Sequence, residues 1–166
     1  MKFLIASDIH GSAKWCRLLL EAFEREKADM LLLCGDILYH GPRNPLPDKY
    51  APMEVAEMLS SVKDKILCVR GNCDSEVDQM VLPFPLTPDY AAVYADGKKI
   101  YLSHGHRDVP PLNDGDVYVT GHTHVPHKVC EDGVLYLNPG SVSLPKDGSA
   151  HGYIVYENGE FAFKSL

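Results

Sequence analysis

The sequence predicts an α/β protein of two β-sheets packed face to face, with helices outside. Three observations carry that expectation. Up to residue 69, apolar strand-like runs alternate with helical periodicity in the order β-α-β-α-β, the pattern of a parallel sheet with crossover helices. Beyond residue 90, short strands are joined by Asp-Gly and Asn-Gly turns, so the second half reads as mostly antiparallel. Five of the strand-like runs end in a polar stretch carrying Asp, Asn or His, and in α/β sheets ligands bind beyond the carboxyl ends of strands.

Taken in order, residues 2–6 read as a buried first strand. Ser12 can cap the following helix, whose Trp15, Leu18, Leu19, Ala22 and Phe23 share one face. Residues 30–34 form a second buried strand, stopped by Gly35. Residues 39–52 carry Pro42, Pro45, Pro47 and Pro52 and read as a semi-rigid surface loop. A second helix starts near Pro52, a tolerated first-turn proline, and turns Val55, Met58, Leu59 and Val62 inward. Residues 66–69 are a third strand, ended before Gly71. Residues 90–95 and 99–103 flank Asp96-Gly97 as a hairpin, and 116–120 is another short strand. Residues 128–130 and 134–137 flank Glu131-Asp132-Gly133, and residues 153–156 and 160–164 flank Asn158-Gly159. With no repeat, low-complexity tract or linker, residues 1–166 are expected to form one domain with a substantial core.

Composition narrows the function classes. Hydrophobic residues at 45% and charged residues at 23% are ordinary for a soluble globular chain. The opening apolar run is too short for a secretory signal, and no stretch is long enough to cross a bilayer, so a cytoplasmic location is expected. Cys16, Cys34, Cys68, Cys73 and Cys130 make an odd count without a CxxC pair, against a disulfide framework or a thiolate zinc knuckle. A net charge of −7 disfavours a surface for extended nucleic acid, which needs a basic stripe. It leaves room for a small phosphorylated substrate at a locally positive site.

The chemistry lies in Asp8-Ile9-His10, Gly35-Asp36, Gly71-Asn72, His104-Gly105-His106 and Gly121-His122-Thr123-His124. Any one of these is weak, since a lone histidine is usually a packing or surface residue. Together Asp8, His10, Asp36, Asn72, His104, His122 and His124 supply two carboxylates, one amide oxygen and four imidazoles. One open metal site uses three or four donors, whereas seven suit two metals about 3.5–4 Å apart with a shared carboxylate. Asp36, the lone ligand at its strand end, is the natural bridge.

These blocks, in this order, resemble the calcineurin-like metallophosphoesterase superfamily. Gly35-Asp36-Ile37-Leu38, His40-Gly41-Pro42-Arg43-Asn44, the run from Arg70 to Met80, and Asn138-Pro139-Gly140-Ser141-Val142-Ser143 are closer still to its small bacterial YfcE-type phosphodiesterases. The resemblance implies the two-sheet αββα sandwich of the metallo-dependent phosphatases. It also implies that Asp8, His10 and His124 hold one metal and Asn72, His104 and His122 the other, with Asp36 shared. Manganese is the metal it favours, with iron, zinc, cobalt and nickel as alternatives. The implied activity is hydrolysis of small phosphodiesters by in-line attack of a hydroxide bridging the metals, available because coordination lowers the pKa of water to roughly 7.

Cys73 stands where many members of the superfamily carry a histidine thought to protonate the leaving oxygen. A thiol is a weak donor with a reference pKa near ~8.5. A preference for diesters with good leaving groups is therefore expected, with His106 or His40 as other candidates for the acid. His40 and His106 stand between pocket and scaffold, and Arg43 between a phosphate clamp and a loop-fixing ion pair. His127, His151 and Asp114 are read as structural, Asp74 as holding a neighbouring loop or histidine, and the turn at Asn138 as support. The alternatives are a phosphomonoesterase of the same superfamily and a non-catalytic protein-binding scaffold like the related retromer subunit. A nuclease would need a basic track that this chain lacks. The expected partner is a small phosphodiester, with no membrane, and strand-rich surfaces are compatible with a homo-oligomer.

Overall fold

The computed structural model describes all of residues 1–166. The order is β1 (Lys2–Ala6), α1 (Ala13–Glu26), β2 (Met30–Leu33), α2 (Pro52–Ser60), β3 (Ile66–Cys68) and α3 (Glu76–Gln79). It continues with β4 (Tyr90–Ala95), β5 (Lys98–Ser103), β6 (Val117–Val119), β7 (Pro126–Glu131), β8 (Val134–Pro139), β9 (Gly152–Glu157) and β10 (Glu160–Ser165). Ser12 caps α1 by accepting from Trp15 N, and Pro52 occupies the first turn of α2. The sequence reading did not foresee α3, one turn closed by a capping box between Ser75 and Asp78.

Two five-stranded sheets result, in the orders β10-β9-β1-β2-β3 and β4-β5-β6-β8-β7. β1, β2 and β3 are parallel, as the alternation with helices predicts. The last hairpin leaves the second half to pair antiparallel with β1, Ile5 opposite Ile154. The second sheet is mixed rather than antiparallel, because β6 lies parallel to both β5 and β8. Local turn chemistry reveals hairpins but not which strands the longer connections place side by side.

One apolar cluster lies between the sheets, joining Phe3, Ile5 and Leu32 to Ile100, Leu102, Val117, Val119 and Leu137. The other lies beneath the helices, where Leu4, Ala6, Leu31 and Leu33 meet Cys16, Leu19, Val55 and Leu59. A strand buried on both faces has no polar side to show, which is why β1 and β2 read as unbroken apolar runs. The expected sandwich is therefore present, with its helices on the first sheet only. The outer face of the second sheet carries an in-register row of Tyr101, Tyr118 and Tyr136 instead of a helix.

Candidate metal centre

The polar stretches leave β1, β2, β5 and β6 and the segment after β3, all on one rim where the two sheets meet. The backbone there is knitted across strands: Asp8 N donates to Gly35 O at 3.1 Å, His10 N to Asp36 O at 2.9 Å, and Gly121 N to His104 O at 3.1 Å. A Cβ on Gly71 would overlap the Asp36 carboxylate, and one on Gly121 would overlap Ser7 Oγ. Both glycines are thus required by close approach. Asp8, His10, Asp36, His122 and His124 all have positive φ, at 59°, 49°, 55°, 68° and 62°. Such a conformation costs an ordinary residue roughly 1–2 kcal/mol, so five of them at one rim mark strain concentrated where function is expected.

All seven predicted donors converge. His124 Nε2 and His10 Nε2 lie 3.2 and 3.5 Å from Asp8 Oδ1, and 3.2 Å from each other. Asp36 Oδ2 lies 3.7 Å from His10 Nε2 and 3.3 Å from His104 Nε2, between the two groups of donors. Asn72 Oδ1 is 3.0 Å from His104 Nε2, and the His122 ring centroid is 5.1 Å from that of His104. Asp8, His10 and His104 are fully buried, whereas Asn72 is exposed and His122 half-buried. The site thus has a closed floor and an open mouth.

The far nitrogen of each of three rings is held by a backbone carbonyl: His10 Nδ1 by Tyr39 O at 2.8 Å, His104 Nδ1 by Cys34 O and His124 Nδ1 by Leu144 O, both at 2.6 Å. A carbonyl accepts only, so each Nδ1 carries the proton and each Nε2 turns its lone pair into the site. Asp8 Oδ2 accepts from His122 N at 3.0 Å, but buried Asp8 Oδ1 has no hydrogen-bond partner. Oxygen and nitrogen lone pairs therefore face one another at close range. Only a cation, a proton or a metal, satisfies that arrangement. Nδ1-bonded imidazoles with carboxylates are what a divalent first-row metal takes, so the donor set fits.

The electrostatics agree. Burial pushes the Asp8 carboxyl up, but the His10 and His124 imidazoles packed against it outweigh burial and hold the group well below the usual range. Asp36 is lowered against its burial by His104. Burial pulls His104 down, yet Asp36 and Asp8 raise it to about 9, and His10 is raised the same way by Asp8. His106 and His122 are lowered, first by burial and then by the charge of His104. Burial and the carboxylates of Asp36, Asp74 and Asp8 push the Cys73 thiol up to about 12.

Above this floor opens a cleft of about 540 Å³ with a single hydrophobic residue among its twelve lining residues. Arg43 and Lys146 line it together with Asp36, Asn72, Cys73, His122 and His124. His106 packs beside His104 and His122, at centroid distances of 5.4 and 6.3 Å, and does not line the cleft. His40 packs edge-on to Tyr50 at 5.2 Å and does not line it either. Lys146 was missed by the sequence reading, since a lone surface lysine carries no signal.

Asp74, expected to hold a neighbouring loop or histidine, holds two of the loops, and the turn at Asn138 supports the rim as expected. Asp74 accepts from Asp36 N, Ile37 N and Gly71 N at 2.8, 2.9 and 2.7 Å, pinning two of the polar stretches to each other. Ser141 and Ser143 hydroxyls both donate to Asp8 O, and Asn138 Nδ2 donates to Gly121 O.

A family model described as the calcineurin-like phosphoesterase superfamily domain matches residues 1–160. Phosphodiesterase YfcE of Escherichia coli (strain K12) is 47% identical over 162 residues, covering 95% of this chain and 88% of that protein. A solved structure of YfcE, a phosphoesterase from E. coli, superposes with a TM-score of 0.92 at 46% identity, over 95% of this chain and 89% of that one. Vps29 from Entamoeba histolytica, solved in complex with Zn²⁺, has a TM-score of 0.66 at 19% identity, over 99% of this chain and 97% of that one, a likeness of fold alone.

Proposed function

The chain belongs to the calcineurin-like phosphoesterase superfamily, and from that premise we propose that it is a metal-dependent phosphodiesterase acting on small phosphodiesters. The observation that carries the reading is the set of facing lone pairs on Asp8 Oδ1, His10 Nε2 and His124 Nε2, continued through Asp36 to His104. Asp8, His10 and His124 would hold one divalent ion, Asn72, His104 and His122 a second, and Asp36 both. Manganese is the metal we favour. Bound ions would supply Lewis-acid charge for the phosphoryl oxygens and, from water, a nucleophile at neutral pH.

The chain's own groups do the rest. The backbone carbonyls of Tyr39, Cys34 and Leu144 fix the ring tautomers, so the floor does not reorganise when substrate arrives. Arg43 and Lys146, at the mouth, attract the phosphate and orient its free oxygens, with the Arg43 fork suited to two of them. With two divalent ions bound, these two cations and the ions would outweigh the carboxylates of Asp8 and Asp36 and make the site positive within an acidic protein. At the leaving-group end Cys73 offers a thiol, a weak donor, and His106 stands back from the cleft. Leaving groups that depart without a proton are therefore favoured, which argues for aryl diesters over alkyl monoesters. We further propose that the chain acts as a single domain in the cytoplasm. No helix is long and apolar enough to cross a membrane.

Metal titration of chelated protein tests this, with hydrolysis of bis(4-nitrophenyl) phosphate and 4-nitrophenyl phosphate as the readout. Activity should rise to a plateau at two ions per chain, the diester should be the better substrate, and Cys73→His should raise the monoester rate. Two bound ions without hydrolysis of any ester would leave a scaffold. A monoester preference, or no gain in Cys73→His, would make the enzyme a monoesterase or give Cys73 no part in the choice.

A further inference from the structure

The cleft does not end at Cys73. Beyond that side chain lies a second groove of about 410 Å³, walled by Leu38, Tyr39, Tyr50, Met53, Val77 and Val81. Cys73 lines both hollows, and its sulfur lies within 4.8 Å of a donor atom of His10 and of Asp36. On the cleft side, a Cβ on Gly41 would come within 3.0 Å of that sulfur. The partition between the hollows is thus one small side chain thick. Their chemistry is opposite: one hydrophobic residue in twelve lines the cleft, and seven in ten line the groove. The polar groups at the groove are already engaged, since the Asp78 carboxylate accepts from Ser75 N and Oγ at 2.8 and 3.1 Å. Tyr39, Met53 and Val77 are nevertheless 41%, 57% and 68% exposed. Adjoining apolar surface of this kind generally marks a place where something binds.

We propose that the groove receives one ester arm of the substrate, and that this arm is a flat, uncharged aromatic group. The proposal rests on the phosphodiesterase reading and adds a substrate class to it. With the phosphoryl group in the cleft, the arm crosses over Cys73 and lies against Tyr39, Tyr50 and Met53. Ring faces and edges and a thioether favour an aromatic partner over an alkyl chain. The Asp78 carboxylate at the groove repels an anionic arm. The second arm stays at the mouth with Arg43 and Lys146, and only a diester has two arms to fill both places. Cys73 is then a specificity determinant by its size, because an imidazole there would narrow the crossing.

Competitive inhibition of the manganese-loaded enzyme tests the idea, with phenylphosphonate and methylphosphonate as probes and bis(4-nitrophenyl) phosphate as the assay substrate. The phenyl compound should bind tighter by roughly tenfold, as expected for an open groove covering about half of a ring. Met53→Asp and Val81→Asp, both at solvent-exposed positions, should each bring the ratio of the two inhibition constants towards one. A ratio near one in the native enzyme, or a tenfold ratio unchanged in both variants, would overturn the groove assignment while leaving the phosphodiesterase reading intact. Absence of hydrolysis at full metal loading would overturn that reading instead. Because the ratio is internal to each protein, loss of folded material in a variant does not mimic either result.

Discussion

The two rims of the sandwich solve one backbone problem in opposite ways. At the hairpin rim, Asp96, Asp132 and Asn158 take φ of 49°, 49° and 51°, each followed by a glycine with positive φ. These are short-range turns in which the residue type itself tolerates the left-handed region. At the metal rim, Asp8, His10, Asp36, His122 and His124 occupy the same region, three of them histidines. His10 lies in a turn closed by Ser12 N on Ile9 O and His122 in one closed by Thr123 N on Gly121 O, but without the residue types that favour such turns. There the conformation is imposed from afar, by Asp74 on Asp36 and Ile37, by Ser141 and Ser143 on Asp8, and by Asp8 on His122 N. One rim is strained by the tertiary structure and the other is relaxed by its own sequence.

Four substitutions would break or sharpen that contrast. The largest effect is expected from Asp8→Ala, which removes a carboxylate from the donor set. Activity should fall by more than the ~10–100-fold of a supporting-residue change. Metal content by elemental analysis should drop, while thermal unfolding of the chelated protein changes far less. A variant that retains two ions would remove Asp8 from the centre. Next is Asp74→Ala, which leaves three buried N–H groups unpaired at about 1–3 kcal/mol each. Chemical denaturation should show a loss of several kcal/mol and metal titration a weaker centre. A loss under about 1 kcal/mol would mean that water replaces the carboxylate and that the rim is not held from afar.

Asn158→Ala should lower stability by only about 1 kcal/mol, the penalty of an alanine in the left-handed region, with metal affinity unchanged. Any weakening of metal binding there would show that the rims are coupled. The smallest effect belongs to Glu26, far from the metal rim, whose carboxylate meets Lys164 Nζ at 2.8 Å on both oxygens. Burial raises its pKa, but Lys164, Tyr153 and Lys2 outweigh burial and lower it below the ordinary 4.5. A carboxyl lowered on folding contributes stability above its unfolded pKa and loses it as the pH falls through the folded value. Glu26→Gln should therefore differ from the parent at pH 6, with the gap closing below pH 4.5 in melts of chelated protein. A gap that persists at low pH would assign the effect to packing.

The same contrast explains what could be read from the chain. The hairpin rim was legible almost to the residue, because Asp-Gly and Asn-Gly are self-contained signals. The convergence of the seven candidate donors was legible because each lies close after a strand beside a glycine or another such residue. What stayed hidden depends on contacts between distant residues. Asp74 reads as a support for a loop or a histidine, but which three N–H groups it holds shows only in the fold. Nothing near Leu144 announces that its carbonyl orients His124. The mixed second sheet and the placement of β9 beside β1 were hidden for the same reason, since strand neighbours across long connections are chosen by packing. Cys73 was noticed as a departure from the family pattern, but its place as the wall between a polar cleft and an apolar groove needed the structure.

The position of β1 also bears on how the molecule is made. Its two neighbours are β2, synthesised soon after it, and β9, synthesised near the end of the chain. While the ribosome works through the intervening segment, one edge of a mostly apolar strand stays unpaired, a condition that exposes a nascent chain to aggregation. The carbonyl of Asp8 cannot be anchored before Ser141 and Ser143 have emerged. The rim is therefore completed late in folding, although all seven candidate donors precede residue 141 in the chain.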